Sequence, residues 1–263
     1  MKHRRSTVLS GSIMLIITAL CLFTACESVK DRSLSSGDIT VDNVEQVCGI
    51  LEDAGLSNID TFKTWVKDTA DEADKETENT SFYDSDCRMT VMLLAGDNVK
   101  YDSVGENYDA EYLMFDINLI ENDDRYSMLK DKEQLFITMF GEIPIPDRGF
   151  ANALSERWNK HGIRIDNDKC SIISILFKTF EQEKAFVGHT GILIDCRDNE
   201  SVDGNYLFVE KIAFGDPFRV TIVQDEKELI RMLSERPDYT TDEGEPTPVV
   251  YKNENIIAEL KDY

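Results

Sequence analysis

Cys87 and His189 are the two side chains whose type and surroundings could do chemistry together. Cys87 follows Asp86 at the start of a short apolar run, Cys87-Arg88-Met89-Thr90-Val91-Met92-Leu93-Leu94-Ala95, which Gly96 stops. The run predicts a buried helix with Asp86 as its N-cap. The thiol then sits in the first turn, where the positive helix end and its unpaired N–H groups favour a thiolate. His189 lies in Val187-Gly188-His189-Thr190-Gly191-Ile192-Leu193-Ile194, an extended pattern in which a polar ring needs a partner. If this strand forms a hairpin with the next across Cys196–Gly204, a symmetric register sets Glu210 beside His189. A one-residue slip would turn Glu210 to the opposite face.

A thiol, an imidazole and a carboxylate that orients the imidazole make an activated nucleophile. Cys87 would attack, His189 would act as general base and then acid, Glu210 would orient the ring, and the Cys87 backbone N–H would help hold the oxyanion. The reaction would be hydrolysis of an amide or ester, with a cell-wall peptide as the first substrate to try. Each residue also has a plainer use. Cys87 suits a buried structural thiol, His189 a core imidazole bonded to a backbone carbonyl, and Glu210 a salt bridge to Lys211 or Arg219. On that alternative the protein is non-catalytic and binds a ligand or partner.

These residues need elements to position them. Asp42 with Glu45 reads as a capping box opening a helix that Gly55 closes, and Ser57 opens a second helix through Ala70. Asp71 to Glu76 reads as a solvated charged stretch. After the Cys87 helix, two more are expected, Asp131 to Phe140 and Asp147 to His161, the latter with Phe150, Leu154 and Trp158 as a core stripe. Beyond Gly162 the period becomes extended. Ser171–Phe180, Ala185–Asp195, Asn205–Phe214 and Phe218–Val223 read as an antiparallel meander, followed by a helix over Glu226–Glu235 and a last strand, Val249–Lys252. The expected class is α+β, N-terminal helices packed on a C-terminal antiparallel sheet, as one domain over residues 39–263.

The N-terminus carries an address. Met1-Lys2-His3-Arg4-Arg5 precedes an apolar run from Val8 to Phe23, then Leu22-Phe23-Thr24-Ala25-Cys26 and a polar segment. This is the layout of a signal peptide over residues 1–25, and the residues before Cys26 resemble a bacterial lipobox, which implies a diacylated Cys26. An uncleaved anchor is the other reading. Residues 26–38 read as a flexible tether, and the expected location is the extracytoplasmic face of the cell membrane, held by lipid on Cys26.

Acidic residues outnumber basic ones 51 to 28, for a net charge of -23, which excludes nucleic acid as a partner. No cofactor or metal is expected. Cys48, Cys87, Cys170 and Cys196 lack metal-ligand spacing, and Asp166-Asn167-Asp168 and Glu121-Asn122-Asp123-Asp124 lack the grammar of a calcium loop. The four thiols could pair as disulfides, in an order the sequence does not give. His161, at a helix end, suits a cation facing the helix dipole.

Two resemblances follow from these motifs. Asp86-Cys87 and His189-Thr190-Gly191 resemble the Asp-Cys helix start and His-x-Gly strand of papain-like amidases of the NlpC type. Arg88-Met89 stands where those enzymes usually carry Ser-Gly. Phe62-x-x-Trp65-Val66, Cys87-Arg88, Trp158 with Gly162, Gly188-His189-x-Gly191 and Phe208-Val209-Glu210-Lys211, taken in order, are similar to a DUF4300-type family of bacterial lipoproteins. That family is a domain of unknown function, so the second resemblance implies location and fold but no reaction.

Overall fold

The change of period at Gly162 separates two layers, in a computed structural model that describes residues 33–73, 84–179, 183–239 and 246–260. Ahead of it come β1 (Gly37–Asp38), α1 (Val44–Asp53), α2 (Ile59–Ala73), α3 (Cys87–Ala95) and β2 (Val99–Lys100). Then follow α4 (Met114–Asn122), α5 (Glu133–Phe140), β3 (Ile143–Pro144) and α6 (Ala153–His161). After it come β4 (Arg164–Ile165), β5 (Cys170–Lys178), β6 (Lys184–Asp195), β7 (Tyr206–Lys211), β8 (Phe218–Val223), α7 (Glu226–Ser234), β9 (Val249–Lys252) and β10 (Asn255–Glu259). The class is α+β, as the patterning predicts, and Leu34–Tyr263 cluster as one unit.

The main sheet has the order β1-β8-β7-β6-β5-β9-β10, with β3 also pairing β6, and its pairs are antiparallel. Both faces are covered. Ile172, Leu176, Val187, Ile192, Leu207 and Val209 share one core with α1 to α3, α5 and α6. Ile173, Ile175, Leu193, Phe208 and Val250 share the other with Leu229, Ile230 and Leu233 of α7 and with Tyr239. Period-2 alternation of large apolar residues thus gives the central strands β5 to β7 two buried faces. Burying each such side chain stabilises the fold by roughly 1.5–3 kcal/mol.

Several expectations are corrected. The α1 cap is Asn43, not an Asp42–Glu45 box, and the Asn43 side chain instead accepts the Thr40 N–H at 2.8 Å. A 3-10 stretch, Asp124–Lys132, precedes α5, which begins at Glu133. The helix expected from Asp147 starts only at Ala153, and the helix α4 and strand β10 have no counterpart in the sequence reading. The tether expected to reach residue 38 is docked from Leu34. That buried residue bonds Ser201 through its N–H at 3.1 Å, and β1 pairs β8. The expected leader, Cys26, residues 74–76 of the charged stretch and Phe180 lie outside the described residues.

Candidate functional site

Asp86 caps α3 as its sequence predicts. Its side chain accepts the Met89 N–H at 2.9 Å, and its carbonyl accepts the Thr90 N–H at 3.0 Å and hydroxyl at 2.6 Å. The helix is buried nearly all round, and Cys87 in its first turn is 3% exposed. The expected lowering of the thiol pKa does not occur. Burial pushes it up to about 12, with the Asp86 charge adding to the rise, against smaller lowering by Arg88 and by a hydrogen bond from the Thr190 backbone. Desolvation of the thiolate outweighs the helix end.

Arg88, where Ser would stand in the NlpC pattern, is a largely buried cation with two acidic partners. It reaches Asp86 at 2.7 Å and Asp116 of α4 at 3.1 Å, and donates to the Val187 carbonyl at 3.2 Å. Burial and the neighbouring Asp86 charge raise the Asp116 pKa well above the carboxylate range.

His189 meets Glu210, but in a different register. Glu210 pairs with Gly191, two residues from the symmetric position. A two-residue shift preserves the face, so the side chains meet diagonally, and Nε2–H of His189 donates to Oε2 of Glu210 at 2.7 Å. Glu210 is also gripped by Arg236, just after α7, at 2.9 and 2.5 Å, rather than by Lys211 or Arg219. Burial alone would raise the Glu210 carboxyl, but the bonds from His189 and Arg236 outweigh it and hold the pKa at about 2. Tyr239 lies against the His189 ring, centroids 5.9 Å apart, and takes a hydrogen bond from Arg236.

The bulge between β5 and β6 decides where the ring points. Ile175 pairs with His189 and Leu176 with Val187, leaving Gly188 as the extra residue. Directly paired residues share a face, and Ile175 belongs to the core under α7, so His189 turns to the α7 side. Glycine is required at Gly188, where a Cβ would meet Phe177 at 2.6 Å, and at Gly191, where it would meet Phe208 at 2.6 Å. The helix α3, by contrast, contributes its apolar side chains to the core on the other side.

The Cys87 sulfur meets β6 just past the end of its pairing with β7. Pairing of β6 with β7 starts only at Gly191, so the Thr190 N–H is available to the sulfur. A hydrogen bond to sulfur spans less than about 4 Å and two covalent bonds about 2.4 Å, so the sulfur is within about 6 Å of the His189 Cα. Among the described residues no hydrogen bond joins the sulfur to the ring. His189 is 2% and Glu210 1% exposed.

Asp116, Arg236 and Tyr239 complete the cluster and had no motif to announce them. Beside it, Lys211 is fully buried against Asp84 at 2.8 Å. The other cysteines do not pair: Cys48, Cys87, Cys170 and Cys196 are all free and buried. His161 is no helix-end cation either. Its ring bonds Ser103 at 2.9 Å and Tyr108 at 2.6 Å, and burial, with Lys160 and Arg157, lowers its pKa.

A family described as "Domain of unknown function (DUF4300)" matches residues 43–257, which takes in every residue of this cluster. No curated protein and no solved structure matches the chain.

Proposed function

Since the chain belongs to the DUF4300 family, whose function is unknown, its own atoms must carry the reading. We propose a lipid-anchored protein of the extracytoplasmic membrane face that works by binding a ligand or partner, in which Cys87, His189 and Glu210 serve the fold. The anchoring half of the reading rests on the charged start, apolar run and Ala25-Cys26 junction. The non-catalytic half rests on one observation. The thiol is sealed and pushed up to about 12, whereas working cysteines are partly exposed and depressed. Metabolic labelling with a fatty acid tests the anchor: the wild-type chain takes up the label and Cys26→Ser does not, and equal labelling of the two would overturn it. Incubation with cell-wall peptides tests the rest. No cleavage is expected, and cleavage that Cys87→Ser abolishes while the fold survives would overturn the proposal.

A second reading, the papain-like cysteine hydrolase, is favoured by a different observation. The sulfur touches the backbone of the residue after His189, and Glu210 engages Nε2, which leaves Nδ1 as the nitrogen to take the thiol proton. On this reading Cys87 is the nucleophile, His189 the base and then acid, and Glu210 the orienter. The same peptide assay separates the two readings.

A further inference from the structure

Three carboxyl groups from two segments of chain converge outside the cysteine cluster. Asp109 lies in the loop before α4, Glu111 two residues on, and Glu142 directly after α5. One oxygen from each lies within 4.8 Å of the others. Asp109 and Glu111 are exposed, but Glu142 is 1% exposed. Its Oε1 accepts the Tyr112 N–H at 2.7 Å, and its Oε2 is buried with no hydrogen-bond partner. A buried carboxyl oxygen ordinarily has a donor or a cation against it. Lys184, bonded to Asp109, supplies one positive charge to the group. Backbone bonds hold the frame: the Asp109 carbonyl accepts the Glu142 N–H at 3.1 Å, and Arg157 holds the Gly141 and Glu142 carbonyls at 2.7 and 2.5 Å.

We infer that Asp109, Glu111 and Glu142 form a divalent-cation site, and that its ion is calcium. The donors are all hard oxygens, without imidazole or thiol, which selects calcium or magnesium over zinc or copper. Calcium accepts several carboxylate oxygens in a flexible shell, which one buried and two exposed carboxylates can supply. Magnesium demands a tighter octahedron and keeps most of its waters. The buried Oε2 of Glu142 provides the inner ligand, the two exposed side chains close over it, and water completes the shell. The ion pins the loop carrying Asp109 and Glu111 onto the end of α5.

The test uses the full-length chain in detergent, stripped with EDTA and titrated with calcium or magnesium chloride while thermal unfolding is followed. A parallel titration with terbium is read by its luminescence, sensitised by tyrosines such as Tyr112. The expected result is a saturable calcium response with half-saturation on the order of 0.1–1 mM, the range of extracellular modules. Glu142→Gln and Glu111→Gln should each weaken it about tenfold or more, as loss of a charged ligand does. Glu111 is exposed, so its variant keeps the test valid if Glu142→Gln fails to fold. No saturable response up to about 10 mM would overturn the site, as would equal responses in wild type and the Glu111→Gln variant, which mark diffuse attraction to an acidic surface. An equal response to magnesium would overturn the assignment to calcium.

Discussion

A disulfide reagent offered to the folded protein should pass Cys87 by, and the size of the effect follows from its surroundings. At pH 8 an ordinary thiol of pKa near 8.5 is about one-quarter thiolate. A thiol at about 12 is ionised in about one molecule in ten thousand. The ratio is roughly two-thousandfold, but a more basic thiolate is also a better nucleophile. With a Brønsted slope of ~0.4–0.5, the 3.5-unit difference returns about thirty- to fiftyfold. Ionisation alone therefore leaves Cys87 about fifty- to a hundredfold slower than a free cysteine peptide, and its burial slows it further. The assay is timed reaction with a neutral dipyridyl disulfide from pH 5 to 10, with the Cys87 peptide quantified by mass spectrometry. Cys170 serves as the internal standard, because burial also pushes it up to about 12. The Cys87 rate should rise about tenfold per pH unit without a break below pH 10. An inflection below pH 8.5 at Cys87, with Cys170 still unreacted, would show an accessible thiolate and refute the reasoning.

Two further outcomes follow from the buried charges. Glu210 drops from an ordinary 4.5 to about 2 on folding, a difference of 2.5 units, or about 3 kcal/mol at 1.36 kcal/mol per unit. A depressed pKa contributes its stability above the unfolded value and loses it as pH falls from about 5 towards 2. In urea unfolding, Glu210→Gln should thus cost about 3 kcal/mol at pH 7 and a much smaller amount at pH 2.5, and an equal deficit at both would contradict this account. Arg88→Met leaves the Asp86 and Asp116 carboxyl groups buried without their cation and should cost about 3–5 kcal/mol. Adding Asp116→Leu should recover much of the loss, and strict additivity of the two changes would contradict the ion cluster.

What the sequence made legible was local. Asp86 before an apolar run specifies a cap, and that cap forms. Alternation placed β5 to β9 to within two or three residues, and Phe218–Val223 and Val249–Lys252 to the residue. Glu210 reached His189 although the register was out by two residues, because parity, not the exact pairing, sets the face. The helix α4 escaped because its amphipathicity is inverted: Met114 and Phe115 are exposed, while Asp116 is buried to meet Arg88. Arg236 escaped because nothing near Glu210 in the chain reveals a guanidinium brought 26 residues back by α7. The buried carboxyl of Glu142 likewise depends on a contact between two separate segments, which no motif records.

The sign of the Cys87 shift shows why a helix start is a weak predictor of reactivity. The positive end of α3 is present, and the N–H of Thr190 also favours the thiolate. Both lower the cost of the charge, but neither replaces the water that burial strips from it. Here the sulfur is buried, and the charge of the Asp86 carboxylate that caps the helix acts on it. Desolvation and that like charge together exceed what one backbone donor and one shared guanidinium return. At Glu210 the balance is reversed. Glu210 is as buried as Cys87, yet a direct bond from His189 and two from Arg236 bring its pKa down. The same fold therefore lowers the pKa of one buried acid and raises that of the other, and the difference lies in the number of donors that reach each. Activating Cys87 would require the His189 ring, now committed to Glu210 on the α7 face, to present its other nitrogen to the sulfur.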